Sequence, residues 1–362
     1  MLRKPDSSPR LITRPVPRRP FMLREIHAAP ERVEALLREE TRALTSALAD
    51  LRRQPPPLIF IAGRGTSDNA ATYGRYLFEH FLGIPVSGAA LSLFTLYPAP
   101  LHLSGALAIG ISQSGESADV VRALRTARRL GAFTLAVTNT ARSSLSELAH
   151  HTVQLHALKE RAVAATKTYT AELVAMTMVC RALGGELPGS DLRGIPDSIR
   201  TALSCEEAIV EVAPRYRYAP RCVCLARGFN YATARETALK LMETCYLGAS
   251  GMSGADFLHG PIAFIEPATP VLLYAADGPT YPFMVSLARR LKRQRVDVLT
   301  FTNRADISRD SAFTVRCPIK TREGLTPIPF ATLGQLFACY LATERGLNPD
   351  APRGLRKVTR TL

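Results

Sequence analysis

The sequence predicts an α/β protein made of two copies of one unit, each copy with a central parallel sheet. Short apolar runs of strand length alternate with helical patterns along most of the chain, as parallel βαβ units require. Gly63-Arg-Gly65 and Ala226-Arg-Gly228 occupy matching places, each between a strand and a helix that ends in Leu-Gly, which reads as an internal repeat. Gly184 to Pro196 has the glycine and proline content of a linker between the copies.

The elements follow in order. Residues 1–20 read as a basic flexible arm and residues 21–57 as an N-terminal helical segment, with Ile26, Val33, Leu36, Leu37, Leu44 and Leu48 on one apolar stripe. The first α/β unit, 58–185, starts with the buried strand Leu58–Ala62. The turn Gly63–Asn69 then leads into a helix from Ala70 to Leu82. Ala106–Ile111, Phe133–Val137 and Val153–His156 read as further strands. Helices are expected over Ala118–Leu130, around Ser144–Ala149 and over Thr166–Leu183. After a linker at 186–197 the second unit, 198–345, opens with helical sequence from Ser198 to Val212. Its strands are Cys222–Ala226, Pro270–Ala275, Asp297–Phe301 and Ala312–Cys317; a helix follows Arg227-Gly228, and others cover Phe283–Arg293 and Phe330–Arg345. Residues 346–362 form a tail.

Composition narrows the function classes. The 362 residues are 46% hydrophobic and 21% charged, ordinary for a globular chain of two or three domains at roughly 100 to 200 residues each. No apolar run approaches the ~20 residues that span a bilayer, and Met1 to Pro20 lacks the apolar segment of a signal peptide, so no membrane is expected and the compartment reads as cytoplasmic. None of the seven cysteines forms a Cys-x-x-Cys pair, and most sit in apolar segments. They read as buried thiols rather than zinc ligands, and no metal or other cofactor is expected. The net charge of +15 raises a nucleic-acid reading. The charge is dispersed, however, over the arm, the run Arg289–Arg295 and the tail, without a nucleic-acid-binding signature. A solvated surface that favours anionic substrates is the better account.

Two stretches carry chemistry. Ser112-Gln-Ser-Gly-Glu-Ser117 follows a strand and opens a helix, where free backbone N–H groups and the helix dipole favour an anion. Thr66 and Ser67 lie in the preceding strand-to-helix turn and reach the same crevice if the two strands adjoin. One such turn would be read as helix capping, but two in one unit favour a phosphate site. Neither is a nucleotide motif, because the third glycine of the dinucleotide fingerprint and a Gly-Lys-Ser/Thr loop are both missing. The matching turn of the second unit, Asp277-Gly-Pro-Thr280, is not serine-rich, so one phosphate site per chain is expected. In the second unit Glu236, Lys240 and Glu243 fall on one helix face at the carboxyl end of a strand. Two carboxylates flanking an ammonium, with the His259-Gly turn downstream, can move protons on a small polar molecule.

These residues also carry a family likeness. Gly63-Arg-Gly-Thr-Ser67, Ser112-Gln-Ser-Gly-Glu116, Val163-Ala-Ala-Thr-Lys167, Glu236-Thr-Ala-Leu-Lys-Leu-Met-Glu243, His259-Gly-Pro261 and Pro352-Arg-Gly-Leu-Arg-Lys357 follow the order found in tandem sugar-isomerase (SIS) domain proteins. From about Phe21 to Leu362 the chain resembles the isomerase half of glucosamine-6-phosphate synthase, and more closely the stand-alone SIS-type glucosamine-6-phosphate deaminases. The resemblance implies two flavodoxin-like α/β/α subdomains, three layers each, in a homodimer. It implies that Thr66, Ser67, Ser112, Gln113, Ser114 and Ser117 bind phosphate and that Val163 and Ala164 offer backbone contacts to the sugar. It implies that Glu243 shuttles a proton between C1 and C2, that His259 of the neighbouring subunit opens the ring, and that Lys357 matches a Schiff-base lysine. Glu236 and Lys240 would balance charge and orient Glu243.

About fifty residues precede the first sheet, with no amino-terminal cysteine of a glutamine-hydrolysing domain. The activity expected is therefore the ammonia-linked half reaction, glucosamine 6-phosphate and water giving fructose 6-phosphate and ammonia. The alternatives are a deglycase for a fructosamine-type adduct, a galactosamine-6-phosphate deaminase and, third, a sugar-phosphate sensor.

Overall fold

The computed structural model describes residues 19–97, 99, 101–355 and 357. The basic arm lies outside them except for its last two residues, as do tail residues 356 and 358–362.

Runs such as Ile-Phe-Ile-Ala and Leu-Ala-Ile-Gly-Ile are apolar at every position because both faces of each strand are covered, the condition of a parallel sheet packed on two sides. The first sheet contains β1 (Ile59–Ala62), β2 (Val86–Gly88), β3 (Leu107–Ile111), β4 (Phe133–Thr138) and β5 (His151–Gln154). All pairs are parallel, in the order β2-β1-β3-β4-β5. The second contains β6 (Arg221–Ala226), β7 (Gly248–Ser253), β8 (Pro270–Ala275), β9 (Asp297–Thr302) and β10 (Phe313–Arg316). Its order, read from the far edge, is β7-β6-β8-β9-β10. Each sheet thus has the flavodoxin-like strand order, and the repeat seen in sequence is a repeat of topology.

Six helices matter to the site: α1 (Thr66–Leu82), α2 (Ala118–Arg129), α3 (Lys167–Ala182), α4 (Tyr231–Cys245), α5 (Tyr281–Arg293) and α6 (Pro327–Glu344). Alternate residues of each strand face opposite layers. Ile59, Ile61, Leu107 and Ile109 pack with α1 and α3, whereas Phe60, Ala62 and Ala108 pack with Val120, Leu124 and Ala127 of α2. In the second unit Cys224, Leu272 and Phe301 face α4 and α6, and Val223, Leu273 and Val298 face Met284, Leu287 and Leu291 of α5. Both units are three-layer α/β/α sandwiches. All seven cysteines are buried and free.

The units are joined where α1 packs against α4. Arg235 of α4 donates to Asp68 at 2.9 Å and to Thr72 at 2.5 Å on α1, and Tyr73 of α1 donates to the Gly324 carbonyl at 2.8 Å. The first turn of α1 therefore lies beside the charged face of α4. No helix among the described residues is long and apolar enough to cross a membrane.

The elements depart from expectation in four places. β2 and β7 are edge strands of sequence Val-Ser-Gly and Gly-Ala-Ser-Gly-Met-Ser, without the apolar run that marks a strand covered on both sides. The helix expected from Ala70 begins at Thr66, because Gly65 (φ +54°) supplies the left-handed turn that lets it start directly after the strand. The N-terminal stripe breaks into Phe21–His27, Ala29–Ala47 and Ala49–Arg53. The glycine- and proline-rich linker folds locally, with a short helix at Gly189–Arg193 and another starting at Ile195.

Candidate active site

β1 and β3 adjoin, so the turns at their carboxyl ends form one crevice. This is where an open parallel sheet offers a ligand site, at the point where strand order reverses. A cavity of about 320 Å³ opens there; Thr66 and Ser67 line it from the β1 turn, and Ser112, Gln113, Ser114 and Ser117 from the β3 turn. All six residues expected to hold phosphate line one cavity. Gly115 (φ +68°) makes the serine loop possible, since a Cβ there would sit 2.1 Å from the Ser143 hydroxyl. Glu116 turns away from the cavity and takes the N–H and hydroxyl of Ser144 at 2.9 and 2.7 Å, which holds its carboxyl below the usual range. The Ser117 hydroxyl donates to Asp119 at 3.1 Å, and Asp119 pairs with Arg64 at the rim at 2.5 Å.

The corresponding turn of the second unit is closed by the protein's own carboxylate. Glu323 accepts the Thr280 hydroxyl, and a Cβ on Gly278 would meet that carboxylate at 2.4 Å. The two units have the same topology but different turn chemistry.

Beneath the serine loops lies the charged face of α4. Lys240 Nζ is 3.3 Å from Glu236 and 2.5 Å from Glu243, and it also donates to the Thr66 hydroxyl at 3.1 Å. Thr66 and Asn69 in turn donate to Glu236 at 3.1 and 2.7 Å. Exposure separates the two carboxylates: Glu236 and Lys240 are 2% and 1% exposed, whereas Glu243 is 21% exposed and lines the cavity. Burial pushes Glu236 up, opposed by Lys240 and Asn69. Burial would pull Lys240 down, but the two carboxylates outweigh it and raise it above the ordinary lysine value, so the ammonium stays charged. Glu243 is thus the one member of the triplet that meets both the buried cation and the cavity.

The tail closes the other side. Lys357 Nζ donates to Glu160 at 3.1 Å and to the Ala162 carbonyl at 2.7 Å, and it lines the cavity with Leu355 and Val163. Glu160 is fully buried and also accepts from Gln113 at 3.1 Å, from the Thr166 N–H at 2.8 Å and from the Thr168 hydroxyl at 2.6 Å. It ties the serine loop, the start of α3 and the tail lysine to one carboxylate. The tail is anchored upstream by Asp350, whose carboxylate caps the N–H groups of Phe21 and Met22 at 2.8 Å each and whose carbonyl accepts from Val163 at 3.2 Å. Asp350→Ala is expected to cost ~1 kcal/mol of stability through the lost cap, and to lower turnover by loosening Lys357. Denaturant titration and steady-state kinetics on the same variant check both.

Val163 and Ala165 line the cavity, and between them the Ala164 side chain is buried. His259 is exposed at the end of the short helix Gly254–Leu258, with its backbone N–H bonded to Asp256 and no side-chain partner among the described residues. Within one chain it is not brought to the cavity. Asn69, Glu160 and Glu172 join the site without having been singled out in the sequence. Among the described residues no group of three or more His, Cys, Asp or Glu side chains is placed to hold a metal ion.

The SIS domain family matches residues 54–182 and 216–345, one match per sheet unit. The chain belongs to the SIS-domain family. A Pyrococcus horikoshii glutamine–fructose-6-phosphate aminotransferase (isomerizing) is 33% identical over 344 residues, which is 93% of this chain and 57% of that relative. A Thermococcus kodakarensis protein of the same name is 34% identical over 351 residues, with the same coverage. This tandem-SIS chain therefore spans little more than half of these relatives, and the matched part is their isomerase half. A solved Silicibacter pomeroyi structure, assigned provisionally as a phosphosugar isomerase, is 34% identical and superposes with a TM-score of 0.83 over 91% of this chain and 100% of its own. A Thermotoga maritima glucosamine-6-phosphate deaminase, 18% identical, shares the fold with a TM-score of 0.77 over 94% of this chain and 100% of its own.

Proposed function

We propose that this chain is an isomerising deaminase of an amino-sugar phosphate, with glucosamine 6-phosphate as substrate and fructose 6-phosphate and ammonia as products. The observation that carries the reading is the Glu236–Lys240–Glu243 triplet, with its buried cation and only Glu243 facing the serine-lined cavity. The serine loops hold the phosphate through hydroxyls and helix N-terminal N–H groups. In the open-chain amino aldehyde, Glu243 removes the proton on C2, and the electron pair moves to the C1–C2 bond while O1 takes a proton. Glu243 then returns a proton to C1, which leaves a C2 iminium. Water adds to C2 and ammonia departs, giving the ketose. C1 is reduced, C2 is oxidised, and no external electron acceptor is needed. Lys240 stabilises the Glu243 carboxylate before abstraction, and Lys357 closes the cavity over the sugar. His259 of a second copy would supply the acid–base group that opens the ring, which makes a homodimer the working assembly. Glutamine hydrolysis has no part in this reading.

The test is ammonia release by the purified chain from glucosamine 6-phosphate, galactosamine 6-phosphate and a fructosamine phosphate in parallel. Release from the first, with an equal amount of fructose 6-phosphate, supports the reading. Release from only one of the other two reassigns the substrate, and release from none while sugar phosphate still binds makes the chain a sensor.

A further inference from the structure

Glu172 of α3 is 1% exposed and lines the cavity beside the serine loops. Its Oε1 lies 2.9 Å from the Ser67 hydroxyl, and its Oε2, buried, has no partner among the described residues. The charged and titratable groups around it come from every neighbouring element. Glu236 and Lys240 act on it from α4, Glu160 from the loop before α3 and Tyr169 from its own helix. Lys240 is already bound to Glu236 and Glu243, and the two other cations that line the cavity, Arg64 and Lys357, are paired with Asp119 and Glu160. A second carboxylate charge at this depth would have no counter-ion and one oxygen without a donor, so the neutral acid is the stable form. Burial above all, with Glu236 and Glu160 adding to it against the Ser67 bond, pushes the carboxyl up to about 8.

The proton on the Ser67–Glu172 contact can lie either way. If Glu172 is ionised, the Ser67 hydroxyl must donate to it, and Ser67 presents only lone pairs to an anion in the cavity. If Glu172 carries the proton, it donates to Ser67 Oγ and the hydroxyl proton is free to point at the anion. We propose that Glu172 is a positioning residue for phosphate binding, which as the neutral acid turns the Ser67 hydroxyl toward the phosphate and so couples sugar-phosphate binding to a proton held at α3. Nothing is transferred in this step; one O–H rotates and another replaces it. The inference rests on the phosphate-site reading above.

The coupling has a sign. Unfolded Glu172 ionises near 4.5 and the folded residue near 8, so between those values the folded state binds more protons. That contribution to stability is full below about pH 4.5 and lost as pH rises through 8. Binding follows the same residue: the free protein loses the competent, protonated form above pH 8.

The experiment is calorimetric titration with fructose 6-phosphate between pH 7 and pH 9. This ligand has no amine to titrate, and its phosphate, with a second ionisation at about 6, is mostly dianionic at pH 7 and more so at pH 9, which would favour binding at the higher pH. The wild type is expected to bind about tenfold more weakly at pH 9 than at pH 7, with net proton uptake at pH 9 seen by comparing buffers of different ionisation enthalpy. Glu172→Gln keeps a neutral N–H donor to Ser67 and should lose both the pH slope and the proton uptake. Ser67→Ala should bind more weakly and also without the slope, which guards against a folding defect peculiar to the glutamine variant. A Glu172→Gln slope equal to the wild type's, or a flat wild-type profile with binding intact, overturns the coupling alone. No binding by the folded wild type at any pH overturns the phosphate-site reading and the coupling with it.

Discussion

Glu243→Gln is expected to reduce turnover by about 10²- to 10⁴-fold, the range that a positioned general base contributes, with KM for the amino-sugar phosphate within a few-fold of wild type. The amide has nearly the same shape, and its oxygen can still accept from Lys240, so the buried triplet keeps its geometry. What it cannot do is accept a proton from carbon. The serine loops and Lys357 are untouched, which is why the loss should appear in kcat and not in binding. Glu236→Gln is the matched control. Glu236 lies 2% exposed beneath the site and does not line the cavity, so its variant should lose less turnover than Glu243→Gln.

Lys240→Met is expected to destabilise the protein by ~3–5 kcal/mol, because removing one partner of a buried ion pair leaves uncompensated charge. Glu236 would then keep only Thr66 and Asn69 as donors, and the Thr66 hydroxyl would lose the ammonium that also bonds it. The disruption should reach the site, since Thr66 starts α1 and lines the cavity. Adding Glu236→Gln to Lys240→Met should restore part of the stability by removing a charge left without a counter-ion. Chemical denaturation of wild type, single and double variants checks this through the sign of the coupling. If Lys240→Met alone were as stable as wild type, the triplet would not be the buried electrostatic unit described here.

The sequence predicted what depends on periodicity and turn chemistry. Six of the ten strands among the described residues carry apolar runs, and the repeated Arg-Gly turn marks the two units. The serine loops were legible because a Ser-rich strand-to-helix turn has few other uses once a second such turn adjoins it. The α4 triplet was legible because i, i+4 and i+7 is a geometric statement about a helix. β2 and β7 were not, since an edge strand needs backbone partners more than apolar side chains. Glu160 and Glu172 were hidden for a different reason. One follows Lys159 and precedes Arg161 and reads as a solvated loop charge, and the other sits among apolar residues of a helix whose every face is buried. Only tertiary packing shows that the first collects Gln113, Thr168 and Lys357 and that the second meets Ser67. His259 was legible as a His-Gly turn, but in the fold it is exposed and does not line the cavity.

The central claim is that Glu243 moves a proton between C2 and C1 of a sugar phosphate held by the serine loops. It is tested most directly by turnover of glucosamine 6-phosphate in D₂O, with the fructose 6-phosphate formed analysed by NMR. The account predicts ketose carrying deuterium at C1, delivered from a carboxyl that exchanges with solvent between abstraction and return, and its formation by Glu243→Gln slowed by about 10²- to 10⁴-fold. Labelled ketose formed by Glu243→Gln at the wild-type rate would contradict it.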